Sequence, residues 1–263
     1  MKRIAIFGVP RSGTSWLGQI FNSAPYVAYR YQPIFSYSFP SKIFKDSSSS
    51  EIELFYKELL ATKDSFVCQL KNVSGNETPE FEKTELTHLV WKEVRYIEVI
   101  ENLIVNSDTK IVGIVRHPCG VINSWQKAPK EFDLSWKLAD EWRFANKKNE
   151  NQHDYYGFEK WLEFTNLLIY LKKKYPDRIV IVKYEDLLED PNEVIEGIFD
   201  FSDMEFTDQT RLFIKNSTSS EVDDPYSVFR NQKKSRDWEG SLDIEIIEAI
   251  LSDKRFIKVY NEL

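Results

Sequence analysis

Short runs of β-branched and aromatic residues alternate along this chain with longer stretches whose apolar positions recur every three or four residues. Strands are predicted at 3-RIAIFGV-9, 66-FVCQL-70, 110-KIVGIVR-116 and 178-RIVIVKY-184, with a weaker one at 87-THLVWKEV-94. Their near-continuous Ile and Val content suits strands buried on both faces of a parallel sheet. Helical periodicity predicts helices near 14–22, 51–61, 96–105, 118–127, 133–149, 155–174, 191–200 and 243–252. The clearest is 155-YYGFEKWLEFTNLLIYLKKKYP-176, where Trp161, Phe164, Leu168 and Leu171 share a face, lysines fill the last turn and Pro176 stops it. The polar run 46-DSSSS-50 reads as a surface loop. Strands alternating with helices predict a doubly wound α/β fold, a three-layer sandwich around a central parallel sheet, in a single domain over 1–263. Ligands of such folds sit at the carboxyl ends of the strands.

Composition narrows the class. Of 263 residues, 42% are apolar, with 18 Phe, 13 Tyr and 7 Trp, enough for a substantial core. A net charge of −7 weighs against a general nucleic-acid binder but leaves room for a small anion on a local basic patch. Cys68 and Cys119 are far apart and without metal-ligand spacing, so they read as reduced thiols. The chain starts MKR and passes directly into a strand-like run, and no apolar run approaches the ~18 residues of a membrane span. A cytoplasmic protein is expected.

The first candidate site is 8-GVPRSGTS-15, following the strongest strand and opening a helix. Gly8 and Gly13 have the glycine spacing of a phosphate-binding P-loop, and Ser15 supplies its hydroxyl, but Thr14 stands where that motif has lysine. The glycines let the chain turn tightly, so amides of residues 12 to 15 and a helix N-terminus near Thr14 face an anion. Arg11 brings the cation from inside the loop. A P-loop kinase would need the missing lysine.

PRSGTSW resembles the 5′-phosphosulfate loop of sulfotransferases that use 3′-phosphoadenosine-5′-phosphosulfate (PAPS), in which a Lys or Arg before Ser-Gly replaces the Walker lysine. The resemblance implies a P-loop-like fold, PAPS as donor, adenosine 3′,5′-bisphosphate (PAP) as product and no metal. It implies donor contacts from Pro10, Arg11, Ser12, Gly13, Thr14 and Ser15, and from Trp16 stacking on adenine, although a core role for Trp16 on the helix is equally open. The stretch 116-RHPCGVINS-124 resembles the family's 3′-phosphate site: Arg116 at a strand end, Ser124 eight residues on. It departs from the family pattern at His117 and at Cys119-Gly120. His117 is expected on the 3′-phosphate side, away from sulfur, while His88 and His153 read as structural. The stretch 183-KYEDLLEDP-191 is also family-like and reads as structural, with Glu185 and Asp186 bonding amides or the loop arginine. In 229-FRNQKKSRDWEGSL-242, Arg230, Lys233, Lys234 and Trp238 resemble the basic loop that closes over adenosine and the 3′-phosphate; a solvated charged loop is the alternative.

For catalysis, the resemblance gives Arg11 the bridging oxygen, with Lys92 as second cation. The proton acceptor is open: the segment 26-YVAYRYQPIF-35 resembles carbohydrate and tyrosyl-protein sulfotransferases, but Gln32 stands where they carry a glutamate, and an amide takes no proton as a base. Glu93 is the candidate, although strand alternation aims it and Lys92 at opposite faces. The expected acceptor is a hydroxyl, preferably of a saccharide, met by aromatic residues between Tyr29 and Phe39 and in the Trp-rich stretch 125–164. A P-loop kinase-like phosphotransferase and a non-catalytic PAP- or nucleotide-binding protein are the alternative readings.

Overall fold

The structure, a computed structural model, describes residues 1–37, 39, 42–69, 79–219, 226–228 and 236–263. Five parallel strands form the central sheet: β1 Lys2–Phe7, β2 Val27–Tyr31, β3 His88–Glu93, β4 Lys110–Val115 and β5 Ile179–Lys183, in the order β2-β3-β1-β4-β5. β1 therefore lies centrally, with β3 on one side and β4 on the other. Register sets Ile6 beside Lys92 and Phe7 beside Glu93, so the carboxyl ends of β1 and β3 finish level.

The helices are α1 Thr14–Ser23, α2 Ser49–Ala61, α3 Ile100–Asn106, α4 Pro118–Gln126, α5 Leu138–Glu141, α6 Phe158–Lys174, α7 Tyr184–Glu189, α8 Pro191–Phe201, α9 Asp208–Ser219, α10 Ile244–Leu251 and α11 Lys254–Asn261. Alternation along the strands sorts them into two layers. Ala5, Phe7, Leu89 and Trp91 pack with Phe55 of α2, Leu103 of α3, Phe164 and Leu168 of α6 and Phe256 of α11. Ile4, Ile6, Val90 and Ile114 pack with Leu17 and Phe21 of α1, Leu187 of α7, Phe199 of α8 and Ile214 of α9. This is the expected doubly wound sandwich. No helix among the described residues is long and apolar enough to cross a membrane.

Two expected elements are corrected. Of the strand expected at 66–70, the described residues 66–69 are not a strand: residues 65–69 form turns, because the Asp64 carboxylate accepts from the amides of Phe66 and Val67 and bends the chain, and Gln69 follows at φ +52°. The helix expected over 133–149 shrinks to Leu138–Glu141 within a series of turns. Ala145 takes φ +50°, and buried Glu141 accepts from the Lys147 amide, so the chain is turned back instead of continuing.

Candidate active site

The loop between β1 and α1 is held by little backbone pairing. Ser12 N–H donates to Val9 C=O at 3.2 Å, and α1 begins without a side-chain cap. Gly13 stands at φ +90°, where side-chain-bearing residues are strained, and a Cβ there would lie 2.5 Å from the Tyr184 ring. Ser12 is buried and its Oγ has no hydrogen-bond partner among the described residues. A buried hydroxyl left unpaired inside a turn of amides is an arrangement suited to an anion.

The two motifs meet. Arg116 Nη1 donates to the Arg11 carbonyl at 3.2 Å, and Arg11 Nε donates to Ser124 Oγ at 3.2 Å. Arg11 Nη1 also reaches Glu131 Oε1 at 3.4 Å, and its guanidinium lies 5.3 Å from the centre of the Tyr226 ring. Arg116 is nine-tenths buried; its guanidinium stands 4.7 Å over the Tyr184 ring, and its carbonyl accepts from Trp161 Nε1 at 2.8 Å. Gly120 leaves room for it, since a Cβ there would come within 2.8 Å of Arg116 Nε. The glycine that departs from the family pattern is therefore explained by the packing of the arginine.

Around this pair the third and fourth motifs contribute walls. Glu185 Oε1 accepts from the His117 amide at 2.9 Å, and burial raises its carboxyl above the ordinary range. Trp238 is buried and stacks on His117, with ring centres 4.7 Å apart and planes 6° from parallel. His117 caps α4, its Nδ1 accepting from the Cys119 amide. Burial, helped by Arg236 and Arg116, lowers its imidazole to about 4, so it is neutral at physiological pH. Trp16 is also buried: its Nε1 donates to Ser217 Oγ at 3.0 Å and its ring meets Tyr184 edge-on. Arg230, Lys233 and Lys234 lie outside the described residues.

At the neighbouring strand end, Lys92 is buried with its ammonium 4.1 Å from the centre of the Tyr31 ring. Glu93 is fully buried, its oxygens accepting from the amides of Phe35 at 3.2 Å and Val94 at 3.0 Å; burial pushes its carboxyl up to about 7. The backbone N–H of Gln32, at φ +42°, donates to the Lys92 carbonyl at 2.9 Å, which ties the 32–35 segment to β3. His88 and His153 fall elsewhere, against the Asp203 carbonyl and the Glu98 carboxylate.

Several residues here carried no sequence signal of their own. Glu131 and Tyr226 reach Arg11 from distant loops. Tyr184 lies against Gly13, Trp16 and Arg116 at once, although its motif reads as structural. The family-like stretch 183-KYEDLLEDP-191 contains it, with no contact role expected for the tyrosine.

The sulfotransferase-domain family profile matches residues 1–255. The chain belongs to the sulfotransferase family. Solved structures share this sulfotransferase's fold at low identity. A mouse sulfotransferase complexed with PAP is 14% identical, with TM-score 0.54 over 99% of this chain and 88% of that one. A sulfotransferase from Alicyclobacillus acidocaldarius is 14% identical, with TM-score 0.52 over 99% and 96%. A retinol dehydratase in complex with retinol and PAP is 15% identical, with TM-score 0.56 over 98% and 82%. A comparison with curated protein sequences finds no match.

Proposed function

We propose that this sulfotransferase moves the sulfuryl group of PAPS to a hydroxyl acceptor and releases PAP. The observation that carries the reading is the meeting of two motifs more than a hundred residues apart: Arg11 with Ser124, and Arg116 with the Arg11 carbonyl. Two orphaned buried donors, Ser12 Oγ and Arg116 Nε, fit a ligand with two anionic groups. Two of these structural relatives, the mouse sulfotransferase and the retinol dehydratase, were solved with PAP, which agrees.

In this reading the amides of residues 12–15 and the hydroxyls of Ser12, Thr14 and Ser15 hold the 5′ end of the donor. Pro10 shapes the turn that presents them. Arg116 and Ser124 hold the 3′-phosphate, with Arg230, Lys233 and Lys234 assigned to the same end. Trp238, stacked on His117, walls that end, and Trp16 braces the adenosine side from within the core. Transfer forms a bond from the acceptor oxygen to sulfur and breaks the bond from sulfur to the 5′-phosphate oxygen. Arg11 stabilises the charge gathering on that leaving oxygen, and Lys92 adds a second cation. Fixed donors aimed at developing charge are a major source of such catalysis. The acceptor proton is assigned to Glu93, whose carboxyl is tuned near the working pH. A saccharide hydroxyl is the acceptor we favour, because 26–35 resembles carbohydrate and tyrosyl-protein sulfotransferases and the largely exposed Tyr37 with Phe35 offers ring faces for stacking.

Calorimetric titration with PAP, AMP and the Mg²⁺ complex of ATP tests the donor. PAP is expected to bind without metal and more tightly than AMP; preference for ATP would sink the proposal. Consumption of labelled PAPS with saccharides or apolar alcohols as acceptors then tests the transfer and its acceptor class. Binding of PAP without any transfer would favour a non-catalytic binder.

A further inference from the structure

Beside the second motif, three donors converge on one carboxylate. Asp237 Oδ1 lies 3.8 Å from Arg116 Nη2, while its Oδ2 lies 3.7 Å from Lys127 Nζ and 3.4 Å from Asn123 Nδ2. Charge-assisted hydrogen bonds usually run ~2.7–2.9 Å, so the carboxylate is held loosely by all three. Arg116 Nε also has no partner among the described residues, although the residue is buried. The guanidinium, the ammonium and the amide all stand back from the carboxylate, which satisfies none of them at full strength. That is a seat for an anion with more acceptor oxygens.

The seat is built. Asn123 is buried, and its Oδ1 accepts from Ser241 Oγ at 3.0 Å, which turns the amide nitrogen toward Asp237. Lys127 Nζ is steadied by Ser241 Oγ at 3.2 Å. Asp237 begins a short 3₁₀ turn, Asp237–Gly240, whose Trp238 is anchored on His117. Its backbone is therefore fixed, while its side chain, about a third exposed, can swing out.

We propose that Asp237 sits in the seat of the donor's 3′-phosphate, and that Lys127 and Asn123 are donors of that seat beside Arg116 and Ser124. The inference rests on reading Arg116 and Ser124 as the 3′-phosphate site. Two anions cannot share the seat, since like charges in contact are strongly disfavoured. The phosphate must displace the carboxylate. Apparent affinity for a 3′-phosphorylated nucleotide is then reduced by the fraction of molecules whose seat is taken. A nucleotide lacking the 3′-phosphate pays no such penalty, so Asp237 narrows the preference for PAPS that Lys127 and Asn123 widen.

Calorimetry on the wild type, Asp237→Asn and Lys127→Ala with PAP and with AMP tests this. Both side chains are partly exposed, so neither substitution removes a core group. Asp237→Asn is expected to bind PAP at least about threefold more tightly with AMP affinity unchanged. Lys127→Ala is expected to lose roughly tenfold in PAP affinity and nothing for AMP. If Asp237→Asn weakens PAP, or shifts PAP and AMP alike, Asp237 is a brace for Arg116 and the inference fails. An unchanged PAP affinity in Lys127→Ala removes Lys127 from the seat and overturns the inference as well. A wild type that does not distinguish PAP from AMP would instead bring down the Arg116–Ser124 assignment beneath it.

Discussion

Arg11 holds φ +73°, a conformation that strains a side-chain-bearing residue by on the order of 1 kcal/mol or more. What maintains it is visible: Arg116 takes its carbonyl, and Ser124 and Glu131 take its guanidinium. The side chain runs from the loop to Ser124 of α4, Glu131 and the Tyr226 ring. Replacing Arg11 with Ala is therefore expected to lower turnover by ~10²–10³ while PAP affinity falls much less. Steady-state rates beside PAP calorimetry check this, and near-normal turnover would move the leaving-oxygen role elsewhere. Arg11→Lys should recover part of the loss, because a lysine restores charge but not the planar fork. The sequence made Arg11 legible through its neighbours in PRSGTSW. It could not disclose Glu131, whose contact with Arg11 spans 120 residues and follows no motif.

The loop and α1 work as one element with α7. Gly13 ends the loop at φ +90°, and its missing side chain is where the Tyr184 ring packs, 2.5 Å from any Cβ placed there. Gly13→Ala therefore meets backbone strain and a ring that is itself fixed by Trp16 and Arg116. Strain of this kind costs about 1–3 kcal/mol. A melting temperature lower by several degrees is expected, with PAP binding lost or greatly reduced. A variant that melts and binds like the parent would show that Tyr184 is not seated against the loop. Element by element, legibility followed the apolar period. β1, β4, β5, α1 and α6 carry long uninterrupted patterns and stood out. β2 did not, because VAYRY includes Arg30, which is spent on the carbonyls of Leu59 and Leu60 at the end of α2. α9 was missed for a similar reason: it buries Thr210 and Ser217 beside Phe213 and Ile214, so its buried face is half polar. At 66–69 a strand-like composition lost to the Asp64 turn.

At the scale of the molecule, the strand order gathers segments that the sequence keeps apart. β1 and β4 are neighbours, so their ends bring the first loop and Arg116 together; β3 on the other side of β1 sets Lys92 and Glu93 level with the loop's start. Such strand ends are where open α/β sheets take ligands. The individual motifs were readable, but their meeting is a property of topology. Glu93 shows what this placement costs. The strand end buries its carboxylate completely, and burial outweighs its backbone amide bonds and the neighbouring Lys92 charge, raising it from 4.5 to about 7. A carboxyl whose folded value is raised contributes stability that is complete below its unfolded value and is lost as pH rises through the folded one. The window is therefore from about 4.5 to 7, and the loss on the order of 3 kcal/mol at 1.36 kcal/mol per unit. Thermal melts between pH 5 and 8 should show stability falling toward the alkaline side, and in Glu93→Gln that fall should be shallower, because the amide does not titrate. The pH–rate profile gives an independent reading of the same group: if Glu93 takes the acceptor proton, the limb of kcat near pH 7 disappears in Glu93→Gln together with the melt dependence. A melt dependence that vanishes while the kinetic limb survives would leave Glu93 as the lock between β3 and residues 32–35, and the proton acceptor would have to be sought elsewhere.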